Sequence, residues 1–347
     1  MLKVAIDTSV LQGPSAFRGI GKYTSQLLPA LRSNRKLRVL EIKRGFDFNS
    51  VDLIHYPYFD FFFLTLSFFK KKKTVVTIHD CTPLIFPQAY PSGFKGKIKF
   101  FLQKQSLKGV AAVITDSENS KKDIVKFLRV PKEKIEVIYL AADENFKKLP
   151  RGGCWQSLVK KKYHLPDSFI LYVGDVNYNK NLPGLLRAFA SLSQKESYLI
   201  LVGKAFKNRR LKEIKELTAL IKELDIVKRV LFLGFVPDKD LVRLYNLASV
   251  CCQASFYEGF GIQILEAMAS GCPVVTGNVS SMPEVAGEAA ILVDPYSQED
   301  IVKGIEKVLG DKSLRERLIE KGFRRVKEFS WEKTAAKTIE VYRKVLS

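Results

Sequence analysis

Two glutamates eight residues apart, Glu258 and Glu266, bracket a tight Gly259-Phe260-Gly261 turn. From Ile262 the apolar positions Ile262, Leu265, Met268 and Ala269 recur at helical spacing, and Gly271-Cys272-Pro273 ends the run. The pattern predicts a strand ending near Ala254, a glycine turn, then a short helix carrying Glu266. Glycines let a ligand approach the backbone, and a helix start offers unpaired N–H groups with partial positive charge. Glu266 would lie roughly 8 Å along the axis, at about 1.5 Å per residue. One carboxylate at the turn and one inside the helix could grip hydroxyls on either side of a bound phosphate pair, the geometry a nucleotide sugar needs. The spacing alone does not separate this from a plain glycine turn before a helix.

The whole segment Glu258-Gly-Phe-Gly-Ile-Gln-Ile-Leu-Glu266-Ala-Met-Ala-Ser-Gly-Cys-Pro-Val-Val275 resembles the E-x7-E signature of the retaining GT-B glycosyltransferases of family 4. The resemblance implies that Glu258 contacts the donor sugar, that Glu266 holds the ribose hydroxyls, and that Gly259, Phe260, Gly261 and Ile262 line the donor site. Three further stretches carry it. Gly174-Asp-Val-Asn-Tyr-Asn-Lys180 resembles the loop whose lysine pairs with the donor diphosphate, so Lys180 takes that role beside Gly174. Many members have arginine directly after the glycine; Asp175 stands there, and Lys204, after the strand Leu199–Gly203, is the substitute cation. Val75-Val-Thr-Ile-His79-Asp-Cys-Thr-Pro-Leu-Ile-Phe-Pro87 resembles the segment whose histidine faces the transferred sugar, and His79 would orient it. Gly19-Ile20-Gly21-Lys22-Tyr23 resembles the glycine loop facing the pyrophosphate. It is not a Walker A loop, since Ala16 and Tyr23 occupy positions that need Gly and Ser or Thr, nor a G-x-G-x-x-G fingerprint, since residue 24 is Thr.

The elements that must position these residues alternate strand and helix through both halves. Strands are expected at Lys3–Ile6, Val39–Ile42, Leu53–His55, Thr74–Ile78, Val110–Ile114, Ile135–Tyr139, Phe169–Val173 and Val274–Thr276. A helix is expected from about Lys22 to Leu31, after a loop running to Gly21. Ser120 and Asp123 stand at capping-box spacing, and Ser120 is read as structural. The fold expected is α/β: two doubly wound, parallel-sheet, Rossmann-like domains facing across a cleft, of GT-B type. Residues 1–165 form the acceptor-side domain and 166–329 the nucleotide-sugar domain. Residues 330–347 form a helix crossing back, with Trp331 as its anchor. Leu149–Lys162, with Pro150, Gly152-Gly153 and a lysine run, reads as the interdomain linker.

At 347 residues the chain can bury two cores. No apolar run is long enough to span a bilayer and no signal peptide precedes Met1-Leu-Lys-Val-Ala-Ile-Asp, so a cytoplasmic place is expected. Five cysteines without Cys-x-x-Cys spacing fit reduced thiols, and three unclustered histidines fit no structural zinc. The net charge of +21 is uneven: residues 1–165 hold 30 Lys and Arg against 13 Asp and Glu, a balance of +17, against +4 for the remainder. No zinc-finger, RNP or helix-turn-helix signature supports a nucleic-acid partner. Tyr56–Phe69 holds eight aromatic rings followed by Lys70-Lys71-Lys72-Lys73. Buried core and contact with an anionic membrane interface both account for them, and the two do not exclude each other. Asp238-Lys239-Asp240 spells the D-x-D of metal-dependent enzymes, but acids are expected in the first turn of the helix Leu241–Ala248 in any case. No metal or other cofactor is expected.

The resemblance thus implies a retaining, metal-independent transfer of a hexose, mannose by preference, from a nucleoside-diphosphate sugar to a hydroxyl of a cell-envelope or lipid-linked glycan. The enzyme would work in the cytoplasm or at the inner face of the membrane. Competing readings are another GT-B activity, such as a synthase, phosphorylase or sugar-nucleotide epimerase, and a silent nucleotide-sugar-binding subunit.

Overall fold

Twelve short strands, apolar and mostly buried on both faces, account for the two sheets of the computed structural model, which describes residues 1–12, 19–42, 46–150 and 152–347. The first sheet takes β1 (Leu2–Ile6), β2 (Leu37–Glu41), β3 (Leu53–Tyr56), β4 (Lys73–Thr77), β5 (Ala112–Thr115) and β6 (Ile135–Val137) in the order β2-β1-β3-β4-β5-β6. The second takes β7 (Phe169–Val173), β8 (Tyr198–Val202), β9 (Val230–Gly234), β10 (Val250–Gln253), β11 (Val274–Gly277) and β12 (Ile291–Val293) in the order β12-β11-β10-β7-β8-β9. Every pairing is parallel. Parallel strands covered by helices on both faces read as continuous apolar runs, and Phe169-Ile-Leu-Tyr-Val173 is buried at all five positions.

The chain divides into two compact units: Met1–Ala141 with Phe329–Ser347, and Ala142–Glu328. In the first, the helix Trp331–Leu346 packs on the helix Gly19–Arg32 and on β4 and β5. Trp331 is buried with its ring 6.1 Å from that of Tyr23. In the second, Leu182, Leu185, Leu186 and Phe189 of the helix Leu182–Ser191 bury against β7, β8 and β10.

Several sequence expectations need correction. The helix begins at Gly19, not Lys22, so Gly19 and Gly21 lie in its first turn rather than in a loop. Residue 16, used above to reject a Walker loop, lies outside the described residues. The helix Glu118–Asp123 is capped by Ser117, whose hydroxyl accepts from Ser120 N at 3.0 Å; Ser120 is buried one turn in. The supposed linker holds a helix, Trp155–Tyr163. It packs on the helix Asp238–Leu247 through Lys162 and Tyr163, which both donate to the Asp240 carboxylate. The aromatic stretch divides: Phe59 and Phe61 are core, while Phe63, Phe68 and Phe69 are exposed. Among the described residues no helix is long and apolar enough to cross a membrane, and the five cysteines are free thiols, four of them buried.

Candidate active site

In the second unit the strand order reverses between β7 and β10, the place where open parallel sheets bind ligands beyond their carboxyl ends. The loops leaving these two strands carry Lys180 and Glu258, and three asparagine- and glutamine-mediated links hold the loops together. Gln253 Nε2 donates to Val173 O at 2.9 Å, Asn179 Nδ2 to Tyr257 O at 2.8 Å, and Asn181 Nδ2 to Ala254 O at 3.1 Å. Asn181 sits at φ +51°, a left-handed conformation that Asn tolerates, and its side-chain oxygen caps the following helix through Gly184 N. The glycines make the close approaches possible. A Cβ on Gly203 would lie 1.9 Å from the carbonyl oxygen of Gly174, so only glycine lets the end of β8 pass beside the β7 loop.

This scaffold sets Lys180 Nζ 2.8 and 2.7 Å from the two carboxylate oxygens of Glu258, a bidentate and largely buried ion pair. Ser255 donates to the same carboxylate at 2.7 Å. Glu258 N donates to Ser280 Oγ at 3.0 Å, while Ser281 Oγ donates to the carbonyls of Glu258 and Phe260 at 2.9 and 3.0 Å. The Gly259–Gly261 turn is thus fixed from below. Gly261, at φ +88°, is the N-cap of the helix Ile262–Ala269 and supplies no side-chain acceptor to its first-turn amides. Glu266, one turn in, is buried and accepts from the Tyr245 hydroxyl at 3.2 Å. Burial, then the Glu266 charge, holds the Tyr245 hydroxyl far above its ordinary titration range, so it stays a donor. Lys204 is exposed at the carboxyl end of β8, on the same edge of the sheet as Gly174 and Lys180.

Among the sequence-derived candidates, Lys180, Glu258 and the turn are therefore brought together, with Gly174 and Lys204 beside them along the sheet edge. Glu266 stands on the helix that leaves the same turn, where it accepts from Tyr245. Asp240 of the D-x-D stretch is committed elsewhere: it holds Lys162 at 2.6 Å, Tyr163 at 2.9 Å and Arg243 at 2.8 Å.

In the first unit His79 follows β4 and its two ring nitrogens face two acceptors, Asp116 Oδ2 at 2.7 Å and the Pro57 carbonyl at 3.1 Å. A carbonyl can only accept, so the nitrogen facing Pro57 carries hydrogen, and the nitrogen facing Asp116 shares a proton with that buried carboxyl, whose own pKa is raised by burial. Burial pulls the His79 pKa down, but the charge of Asp116, the hydrogen bond to it, Asp80 and the Pro57 carbonyl together raise it above 6.5. The Tyr23 ring lies edge-on at 4.7 Å. Gly19 and Gly21 stand at the start of the same helix as Tyr23.

Sequence reasoning missed Asp116, Ser255, Ser280 and Tyr245. Asp116 had a legible signal, an acid directly after a strand of the parallel sheet. Ser280 had none, since its partner stands 22 residues earlier.

The known proteins that this chain resembles cover both units. The family model described as Glycosyl transferases group 1 matches residues 157–325, and that described as Glycosyltransferase Family 4 matches residues 11–146. The O-antigen chain mannosyltransferase B of Escherichia coli is 34% identical over 278 residues, covering 78% of this chain and 70% of that one. The serotype-specific mannosyltransferase WbdA of Escherichia coli is 28% identical over 276 residues, 79% of this chain but 34% of WbdA, so the chain spans about a third of that protein. Among solved structures, Anabaena Alr3699/HepE in complex with UDP and glucose matches with a TM-score of 0.79 at 18% identity, over 99% of this chain and 100% of that one.

Proposed function

The chain belongs to the family 4, group 1 glycosyltransferases of GT-B fold, and from that premise we propose a retaining mannosyl transfer that needs no divalent metal. The donor is a nucleoside-diphosphate sugar, GDP-mannose by preference. The acceptor is a hydroxyl of a cell-envelope or lipid-linked glycan, met in the cytoplasm or at the inner face of an anionic membrane.

The observation that carries this reading is the Lys180–Glu258 pair beside an uncapped helix start at the reversal point of the second sheet. Lys180, aided by Lys204 and the amides of the Gly259–Gly261 turn, would take the charge that grows on the departing diphosphate. Glu266 would accept from the ribose hydroxyls and Glu258 from those of the sugar. His79, donating a ring N–H, would orient the sugar, exchanging the longer of its two hydrogen bonds, that to Pro57. The bond between the anomeric carbon and the phosphate oxygen breaks, the bond to the acceptor oxygen forms on the same face, and the released phosphate oxygen receives the acceptor proton. Asp240, bound by two cations and a phenol, is not free to hold a metal.

The test is transfer from GDP-mannose to a lipid-linked glycan acceptor after exhaustive chelation, with the anomeric configuration of the product read by NMR. A product keeping the donor configuration is expected. An inverted product, or a loss restored by magnesium or manganese, would overturn the reading. Release of free mannose, or turnover with orthophosphate, would point to the competing GT-B activities. A thermal-shift panel of UDP, GDP, ADP and dTDP sugars identifies the base, since ligand at a hundredfold over its dissociation constant stabilises by about 2.7 kcal/mol.

A further inference from the structure

The helix Gly93–Ser106 buries one face and leaves an apolar stripe exposed on the other. Gly96, Phe100 and Gln103 turn into the first unit. On the opposite side Phe94, Ile98, Phe101 and Leu102, at i, i+4, i+7 and i+8, form a stripe that stays exposed, with Phe94 at 79% and Phe101 at 60%. Lys95 and Lys99 run along one flank of this stripe and Lys97 and Lys104 along the other. A helix whose only task was to cover a core would turn polar residues to water here.

The neighbouring loop extends the same surface. Gln103, itself buried, donates to the carbonyls of Asp60 and Phe63 at 3.1 and 2.7 Å and to Thr65 Oγ1 at 2.8 Å, pinning the loop to the helix. Asp60 Oδ1 accepts from the amides of Phe62 and Phe63. Phe63 is thereby held outward, 64% exposed, with Lys99 Nζ 5.1 Å from its ring centre. Beyond it Phe69 is 86% exposed, next to Lys70. An apolar recess of about 610 Å³ opens at the amino end of the helix and shares Phe94 and Lys97 with the stripe.

Residues 61–115 hold nine lysines and one acid, Asp80. A broad apolar stripe flanked on both sides by lysines, beside a loop whose Asp60 carboxylate is taken up by the Tyr58 hydroxyl and the Phe62 and Phe63 amides, matches an anionic bilayer: the rings enter the acyl boundary while the ammonium groups reach the headgroup phosphates. Nucleic acid would satisfy the lysines but leave the rings against phosphate. We propose that the helix Gly93–Ser106 is the principal membrane-docking element of this enzyme, lying in the plane of an anionic bilayer with the Phe63–Phe69 loop beside it. This rests on the reading that the enzyme works at a membrane and assigns the contact to a helix outside the aromatic run.

Co-sedimentation of the full chain with vesicles of phosphatidylcholine, alone or with phosphatidylglycerol, tests it. The triple variant Phe94→Ser, Ile98→Ser, Phe101→Ser changes only exposed side chains, so its thermal midpoint and its binding of GDP should match wild type. Its affinity for the anionic vesicles should fall about tenfold or more. A bimane label on Phe101→Cys, with Cys154→Ser, should shift to the blue on anionic vesicles only. Triple-variant binding equal to wild type, with Lys70–Lys73→Ser abolishing it, would overturn the role of the helix and leave the membrane reading standing. Failure of wild type to bind any vesicle would overturn both. A wild-type dimer that the triple substitution dissociates would show that the face pairs two copies of the chain rather than lipid.

Discussion

His55 on β3 and His79 just past β4 belong to neighbouring strands of one sheet, yet their surroundings shift their pKa values in opposite directions. His55 is fully buried between two hydroxyls, Tyr342 at 2.6 Å and Thr77 at 2.8 Å, and burial followed by the charge of His79 pushes its pKa down to about 3. Its folded form is neutral, so its contribution is complete above the unfolded value of 6.5 and declines as pH falls below it. His79 has the opposite sign: its raised pKa makes its contribution complete below 6.5 and lost as pH climbs through the folded value. The two histidines thus act in opposite directions, His55 eroding stability as pH falls below 6.5 and His79 as pH rises above it. The thermal midpoint should therefore decline on the alkaline side, and His79→Gln should remove that decline while leaving the acid side in place. A wild-type midpoint flat above 6.5 would rule out the upward shift of His79. The carboxylates of the second unit should separate by ligand. If Glu266 accepts from the ribose as proposed, Glu266→Ala removes charge-assisted hydrogen bonds worth about 1.5–3 kcal/mol, and affinity for the nucleoside diphosphate should drop about tenfold to a hundredfold. Glu258→Ala frees Lys180 from a bidentate partner, so diphosphate affinity should hold or rise while turnover of the intact donor falls. Calorimetry beside donor kinetics decides this; equal losses of diphosphate affinity in both variants would sink the division of roles.

Between residues and units stand the strand-to-helix loops, where the tightest steric constraint is Gly203. Gly203→Ala would press a methyl into the Gly174 carbonyl and displace the loop that carries Lys180. It should destabilise the fold by roughly 1–3 kcal/mol and weaken diphosphate binding, read by urea denaturation and calorimetry; no change in either would mean that the loop yields freely. The legible elements share a physical signature. Strands such as Phe169–Val173 are apolar throughout because both faces are covered, and the helix Ile262–Ala269 declares itself through its glycine turn. The helix Gly93–Ser106 was not legible as a core-covering helix because its buried face holds Gly96, Gln103 and Ser106 while Phe94, Ile98 and Phe101 face outward. The helix Trp155–Tyr163 hid behind Pro150, two glycines and three lysines, residues that suggest a linker. In the site, Glu258, Glu266 and Lys180 were readable from local motifs. The Ser255, Ser280 and Asn179 bonds that fix them were not, because they join separate loops across the sheet.

At the scale of the whole molecule, charge and chain path both set the first unit apart. It holds 28 Lys and Arg against 13 Asp and Glu, and it is built from two ends of the chain, with Ala142–Glu328 intervening. The helix Trp331–Leu346 supplies Tyr342 to His55, Thr334 to the Tyr139 carbonyl and the buried Trp331 ring. A chain stopped after Glu328 should therefore lose protease resistance in residues 1–141 while residues 142–328 stay protected; equal resistance in both by mass spectrometry would refute this. The same path has a consequence in time. During translation the second unit is delivered as one uninterrupted run and can close as soon as it leaves the ribosome. The first unit waits for its last helix, and at about 5–20 residues per second that delay is roughly ten to forty seconds. For that interval His55 has no phenol to bond and the sheet stands partly uncovered, which makes the earliest-made half of the nascent chain the part most in need of chaperones.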